Sequence, residues 1–335
     1  MKIPSPASWT LPSNLKRAQL QRIATLIGAP LTGTKPQLLR SIHELLATQQ
    51  AQHGRNAAFT SPTASKELRV LSIDMGIRNL AYAFLTSEVC SKSNSTTLSF
   101  ARPTLCQWQR TGLVNVNRAG MAMEASEVGQ ISMASGRDDN QPTSADESYE
   151  PHIMAGHAYN FAKYCASLKP THILIERQRF RSGGHSAVQE WSLRVGMLEG
   201  MLYSTFQTLM EEGLLADTMI EPMLPMRVNK FWFADQDIPA TGKQAKLAKI
   251  AIVSDMLKAV NTKKASFALA DELRDVIGGF GVKAGRDTTV EKAARPLQKL
   301  DDMSDALLQA LAWLRWQENR VKLVTKGPTG LEIHE

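Results

Sequence analysis

Two short, mostly apolar runs in this chain stop on a carboxylate: Val70-Leu-Ser-Ile73 is followed at once by Asp74, and Ile173-Leu-Ile175 by Glu176. Runs of this length suit strands buried on both faces of a sheet that helices cover. Taken singly, each acid reads as a turn or cap residue. Asp and Glu are rarely fully buried without a partner, however, so acids at the carboxyl ends of two core strands suggest shared cation binding.

A third acidic group opens a helix. In Leu300-Asp-Asp-Met-Ser-Asp-Ala-Leu307, the residues Leu300, Met303, Leu307, Ala310, Leu311 and Leu314 form a core stripe. Asp301, Asp302 and Asp305 are left clustered on the other side. Capping the helix N-terminus accounts for one of these aspartates, not for three. Like charges this close raise each other's pKa unless a divalent cation neutralises them, and oxygen-only ligands suit Mg²⁺ or Mn²⁺.

Periodicity predicts the frame around these acids. Leu68 to Ile73 and Asn79 to Leu85 flank a Met-Gly-Ile-Arg turn, and Leu98 to Trp108 supplies a third extended segment, together an antiparallel meander. A helix over 152–168 follows, then a strand over 171–175, a long helix over 186–212, a strand near 218–221, and helices over 243–260 and 302–320. Three meander strands followed by alternating strands and helices resemble the RNase H-like arrangement: an α/β fold with a mixed sheet flanked by helices.

The front of the chain has a different character. The whole chain carries a formal charge of +7 and has a pI of about 9.3, and Lys2, Lys16, Arg17, Arg22, Lys35 and Arg40 all precede the first acid, Glu44. Leu15, Leu20, Ile23 and Leu26, then Leu38, Leu39, Ile42 and Leu46, recur at helical spacing. Gly28 is placed to end the first helix, and Thr34 to cap the second with Pro36 in its first turn. This helix–loop–helix resembles a SAP motif, a DNA-binding module, with its Gly-x-Lys pattern as Gly33, Thr34 and Lys35. A helical hairpin for protein contacts is the alternative. The basic helix N-terminus favours phosphate binding by Lys35. The expected organisation is a SAP-like module over 9–50, a linker over 51–67, a catalytic domain over 68–322 interrupted by an acidic insertion over 115–150, and a tail over 323–335. The three cysteines form no CxxC pair, so zinc and a disulfide framework are not expected. Neither a membrane span nor a secretory signal is expected, whereas the acid-free start also suits a mitochondrial transit peptide.

The strings Ser72-Ile-Asp-Met-Gly-Ile-Arg-Asn-Leu-Ala81, Ile175-Glu-Arg-Gln-Arg-Phe-Arg181 and Lys299-Leu-Asp-Asp-Met-Ser-Asp-Ala306 are similar in order and spacing to motifs of the fungal mitochondrial Holliday-junction resolvases. These are cruciform-cutting endonucleases related to bacterial RuvC. The resemblance implies that Asp74, Glu176, Asp302 and Asp305 are catalytic and hold two Mg²⁺ ions, with Mn²⁺ as a substitute. The adjacent aspartates leave open whether Asp301 or Asp302 is the ligand. It also implies a mitochondrial, homodimeric enzyme that makes paired cuts in four-way junction DNA without a nucleotide cofactor, leaving 5′-phosphate and 3′-hydroxyl ends, and it suggests cleavage near a CT step. Arg177, Arg179 and Arg181 alternate around Gln178 and Phe180, which suits phosphate gripping, a base-edge contact by Gln178, and stacking by Phe180 at an opened crossover or its packing on the core. Lys230, Lys243, Lys246 and Lys249 form a basic tract in which Lys243 resembles a family phosphate-contacting lysine; a solvated helix face is the plainer reading. The long helix carrying Trp191, Leu193, Val195, Leu198 and Phe206 is apolar on more than one face, so it is either deeply buried or also meets a second subunit. Two rival functions are a catalytically inactive DNA-binding scaffold and an actin-like or sugar-kinase-like ATPase. Every carboxylate position is filled, against the first, and a second Asp-x-Gly phosphate loop is missing, against the other.

Overall fold

The computed structural model describes residues 11–55, 67–77, 80–90, 99–111, 149–178, 190–234, 236, 238–239, 241–273 and 298–333. At its centre lies a mixed sheet. Strands β1 (Glu67–Asp74), β2 (Leu80–Cys90) and β4 (Thr104–Thr111) form the antiparallel meander. β5 (His172–Glu176) runs parallel to β1, and β6 (Met219–Met223) runs parallel to β5. A two-residue β7 (Ala268–Leu269) lies parallel to β4, giving the spatial order β6-β5-β1-β2-β4-β7. The third extended segment of the sequence reading is in fact two: β3 (Ser99–Phe100) pairs with the end of β2, and β4 begins after Pro103. Proline has no N–H to offer a ladder, so a break there is expected.

Side-chain alternation sends the sheet's residues into two apolar layers. Leu71, Ile73, Tyr82, Phe84, Ile173 and Ile175 pack under α3 (Pro151–Ser167) and α4 (Glu190–Glu211). Leu68, Val70, Ala81, Ala83, Leu85, Trp108 and Leu174 pack under α7 (Gln298–Lys326). The predicted stripe of α7 is buried, but every residue from Ala306 to Leu314 is buried with it. Its outer side is covered by α1 (Arg17–Ile27), α5 (Pro225–Trp232) and α6 (Lys243–Lys258). Indole N–H groups of Trp108 and Trp232 donate to the Met303 and Leu308 carbonyls at 2.8 and 3.0 Å, fixing this central helix from two sides.

The N-terminal helices form a third cluster that the expected boundaries divide wrongly. α2 (Lys35–Arg55) extends past residue 50 into the expected linker, of which 56–66 lie outside the described residues. At the other end, 323–333 is not a loose tail. α7 continues to Lys326, a 3₁₀ turn spans Pro328–Leu331, and Leu323, Leu331 and Ile333 are buried with Leu20, Ile23, Ile27, Leu38 and Ile42. Gly28 ends α1 at φ 73°, and a Cβ on it would stand 2.4 Å from the Trp316 ring. The carbonyls that a helix end leaves without partners are met from the catalytic body. Asn319 Nδ2 donates to Leu26 at 2.8 Å, Arg320 Nε to Ile27 at 2.9 Å, and an Arg227 guanidinium nitrogen to Gly28 at 3.2 Å. Ahead of α2, the Gln37 side-chain Oε1 accepts from the Thr34 backbone N–H at 2.7 Å, half of a capping box. The acidic stretch 115–148 lies outside the described residues.

Candidate active site

Strand register brings the two acids of the sheet together. Ile73 pairs with Ile175 in the parallel ladder, so Asp74 and Glu176 are the next residues on neighbouring strands. They share parity with Ser72 and Leu174, which puts both on the α7 side. Asp302 and Asp305 arrive there from the first turns of α7. Burial, then the charge and hydrogen bond of Glu176, then the charges of Asp305 and Asp302, hold the Asp74 carboxyl well above the usual range. Asp302 is pushed up to about 6, first by burial and then by Asp301, with Arg110 and Lys246 opposing. Asp305 is also pushed up to about 6, by burial first; Lys249 opposes this, and Glu176 and Asp301 add to it.

Each aspartate of α7 leans on a cation. Arg110 Nε donates to Asp302 at 3.2 Å, Lys246 Nζ to Asp301 at 2.5 Å, and the buried Lys249 pairs with Asp305. Asp301 is only 3% exposed, and its Oδ1 has no partner among the described residues. Asp74 and Glu176 have no ion-pair partner among the described residues. Glu176 instead accepts from the Met75 backbone N–H at 3.2 Å and from Gln178 Nε2 at 3.3 Å.

The structure therefore gathers the four predicted acids into one electrostatic neighbourhood, but not into a finished ligand cage. Among the described residues, no three His, Cys, Asp or Glu side chains stand close enough to hold one ion. Asp302 and Asp305 are paired with the protein's own cations, Arg110 and Lys249. The donor set nevertheless fits a hard divalent cation: all donors are oxygen, and Asp74 and Glu176 are crowded acids without a neutralising partner among the described residues.

Other predicted contacts divide. Gln178 turns back onto Glu176, and its backbone N–H donates to Glu199 at 3.2 Å. Arg177 is exposed, with its backbone N–H on the Met223 carbonyl at 2.8 Å. Arg179, Phe180 and Arg181 lie outside the described residues. Lys243 is exposed at the start of α6. Lys35 lies in the N-terminal module, with Nζ on the Ser13 carbonyl at 2.9 Å. Sequence reasoning missed Arg110, Lys246, Lys249 and Glu199 as members of the site. A signal existed for the lysines, since their i, i+3 spacing puts them on one helix face, and for Arg110, which shares strand parity with the core residue Trp108. The Glu199 carboxyl is raised, by burial first, with the Gln178 N–H and Arg177 opposing and Glu176 adding.

The chain is similar to known proteins over most of its length. The profile of a family described as "Mitochondrial resolvase Ydc2 / RNA splicing MRS1" matches residues 70–323. Two curated proteins are similar over most of the chain, both named "Cruciform cutting endonuclease 1, mitochondrial". The Schizosaccharomyces pombe protein is 25% identical over 91% of this chain and 93% of its own length. The Saccharomyces cerevisiae protein is 20% identical over 91% and 83%. Among solved structures, the yeast mitochondrial Holliday junction resolvase Ydc2 superposes with a TM-score of 0.53 at 22% identity, covering 95% of this chain and 98% of that one. That likeness shows the shared RNase H-like fold.

Proposed function

Because the chain belongs to the mitochondrial resolvase Ydc2 / RNA splicing MRS1 family, we propose that it is a mitochondrial, metal-dependent endonuclease that cuts four-way DNA junctions. The observation carrying this reading is the buried Asp74 beside Glu176, Asp302 and Asp305, with no ion-pair partner for Asp74 or Glu176 among the described residues. Both similar curated proteins are named cruciform-cutting and mitochondrial.

Asp74, Glu176, Asp302 and Asp305 are the residues that would hold Mg²⁺ or Mn²⁺, two ions per site, with Asp301 beneath them under Lys246. Ions so held supply charge stabilisation for in-line displacement at phosphorus. The chain's own groups do the rest. Glu176 is oriented by the Met75 N–H and Gln178, so its carboxylate is aimed before substrate arrives. Lys249, Lys246 and Arg110 hold the α7 acids against mutual repulsion. Exposed Arg177 and Lys243, with Lys35 on the N-terminal module, offer phosphate contacts that position the DNA without reading its sequence.

Paired cuts in a nearly two-fold substrate call for a two-fold dimer. The stripe Val195, Leu198, Leu202, Phe206 and Leu209 of α4 is consumed by the chain's own core, but Trp191 and Leu193 on α4 and Tyr159 on the adjoining α3 are exposed. The face of α4 that carries Leu193, opposite this stripe, is the proposed subunit contact.

The test is a supercoiled cruciform plasmid with Mg²⁺, comparing wild type with Asp74→Asn. Wild type is expected to linearise the plasmid. The variant is expected to lose about a hundred- to a thousand-fold in rate, as losses of a principal charge-stabilising group do, yet to shift a junction in a gel as wild type does. Tight junction binding by wild type without any Mg²⁺-dependent cutting would favour a DNA-binding scaffold instead.

A further inference from the structure

Beneath the acid layer lies a second layer of polar contacts that the chemistry described above does not use. Gln309, on α7, is 4% exposed. Its Nε2 donates to Ser72 Oγ at 3.0 Å and to the Ile73 carbonyl at 3.2 Å, with the Leu174 carbonyl at 3.4 Å. One amide thus touches β1 immediately before Asp74 and β5 two residues before Glu176, from the helix that carries Asp302 and Asp305.

The spacing makes this more than a chance core contact. Asp305 and Gln309 are i, i+4 on one face of α7, about 6 Å apart along the axis. Ser72 and Asp74, like Leu174 and Glu176, are two residues apart on one face of a strand, about 6.6 Å. The steps match, so the Gln309 layer repeats the acid layer one level down, and the His172 and Trp313 rings meet at a tilt, 4.6 Å between centroids, one level further. A buried amide among apolar neighbours such as Ala306, Leu308 and Ala310 is unfavourable unless its hydrogen bonds are made. Here they are made to the strands that deliver the acids.

We propose that Gln309 is a positioning residue that staples α7 to the ends of β1 and β5 and thereby sets the separation between Asp74, Glu176 and the α7 aspartates. It acts through these acids and does not touch DNA. The inference rests on the reading of those carboxylates as the metal site. With the staple in place, the Met75 N–H remains within reach of Glu176 Oε2, which provides a reporter in metal-free protein.

Gln309→Met keeps the length and apolar fit of the side chain and removes the amide. In the full-length protein without metal, hydrogen exchange in a peptide containing Met75 is expected to quicken. Mn²⁺ affinity, read from the spin resonance of the free ion, is expected to fall about ten-fold, the lower end of what loss of a partner that orients a metal ligand does. kcat on a synthetic junction should fall by a similar factor, while KM and metal-free junction affinity stay within two-fold. If Gln309→Met does not yield folded protein, Gln309→Asn, whose amide stops one methylene short, carries the same measurements. Wild-type Met75 exchange and wild-type Mn²⁺ affinity in the folded variant would overturn the proposal and leave Gln309 a core residue only. Asp74→Asn in parallel separates the two readings. If it still cuts with Mg²⁺, the carboxylate site itself fails; if it is inactive while Gln309→Met matches wild type, only the staple fails.

Discussion

The two halves of α7 bury polar groups to opposite ends. Toward its C-terminus, Arg320 is 6% exposed yet satisfied: Nε donates to the Ile27 carbonyl, and Glu221 supplies the opposite charge. Burial lowers its pKa to about 10, with Glu221 opposing and Arg227 adding. Toward its N-terminus, Asp301, Asp302 and Asp305 crowd against Asp74 and Glu176, and burial and like charge raise Asp74, Asp302 and Asp305. One half pairs its buried charge, and the other leaves Asp74 and Glu176 without an ion-pair partner among the described residues. Damage to the first should therefore loosen the molecule. Removing charge from the second should abolish chemistry while tightening the metal-free fold.

The largest effect expected from the C-terminal half comes from deleting residues 1–55. As a sequence, this stretch reads as a SAP-like DNA-binding module set apart from the catalytic domain by a linker. In the structure its removal bares Leu323, Leu331, Ile333 and Trp316 and takes away the carbonyl partners of Asn319 and Arg320. Large exposed apolar patches and the loss of these hydrogen bonds both destabilise. The truncated protein should therefore melt well below the full chain in thermal unfolding and lose cleavage at temperatures the full chain tolerates. A truncated protein with the full-length melting temperature would show that the two halves of α7 are not specialised in this way.

A smaller change sharpens the same point. Gly28→Ala places a Cβ at φ 73° and 2.4 Å from the Trp316 ring. The left-handed conformation and the overpacking together should destabilise by about 2 to 4 kcal/mol, measured by denaturant unfolding. Because Gly28 faces the C-terminal half of α7, Mn²⁺ affinity should not change. A fall in metal affinity without a fall in stability would mean that the docking of the module governs the acid cluster.

The parts legible in the sequence were those set by local periodicity. The apolar strands ending at Asp74 and Glu176, the i, i+3 acids Asp302 and Asp305, and Gly28 as a helix stop follow from spacing along one element. Relations between distant elements were not legible. Nothing local tells that Lys249 reaches Asp305 from a helix 56 residues earlier, or that Arg110 meets Asp302 192 residues on. The basic tract of α6 reads as a solvated face because lysine is usually exposed, yet Lys249 is 7% exposed. The tail at 323–333 was misjudged for the same reason, since Leu323, Leu331 and Ile333 show no pattern until α1 and α2 cover them.

The smallest effect expected is a pH dependence of stability, and it probes the N-terminal half directly. Asp302 and Asp305 titrate at about 6 in the folded protein, against about 3.9 for an unfolded aspartate. Between these values the folded chain holds protons that the unfolded chain has lost, so stability falls as pH rises through this window and levels off above it. Asp74 is raised in the same direction and adds to the loss. In EDTA, wild type should therefore lose a few degrees of melting temperature relative to Asp74→Asn between about pH 4 and 7, because the variant removes one charge and relieves its neighbours. Taking the difference between the two proteins cancels the carboxylates they share elsewhere. Mg²⁺ should reverse the trend in wild type above about pH 6, where the acids are ionised, and should do little for the variant. If the two melting curves stay parallel across this range in EDTA and respond alike to Mg²⁺, the acid end of α7 is not under the repulsion assigned to it, and the contrast between its halves is one of composition alone.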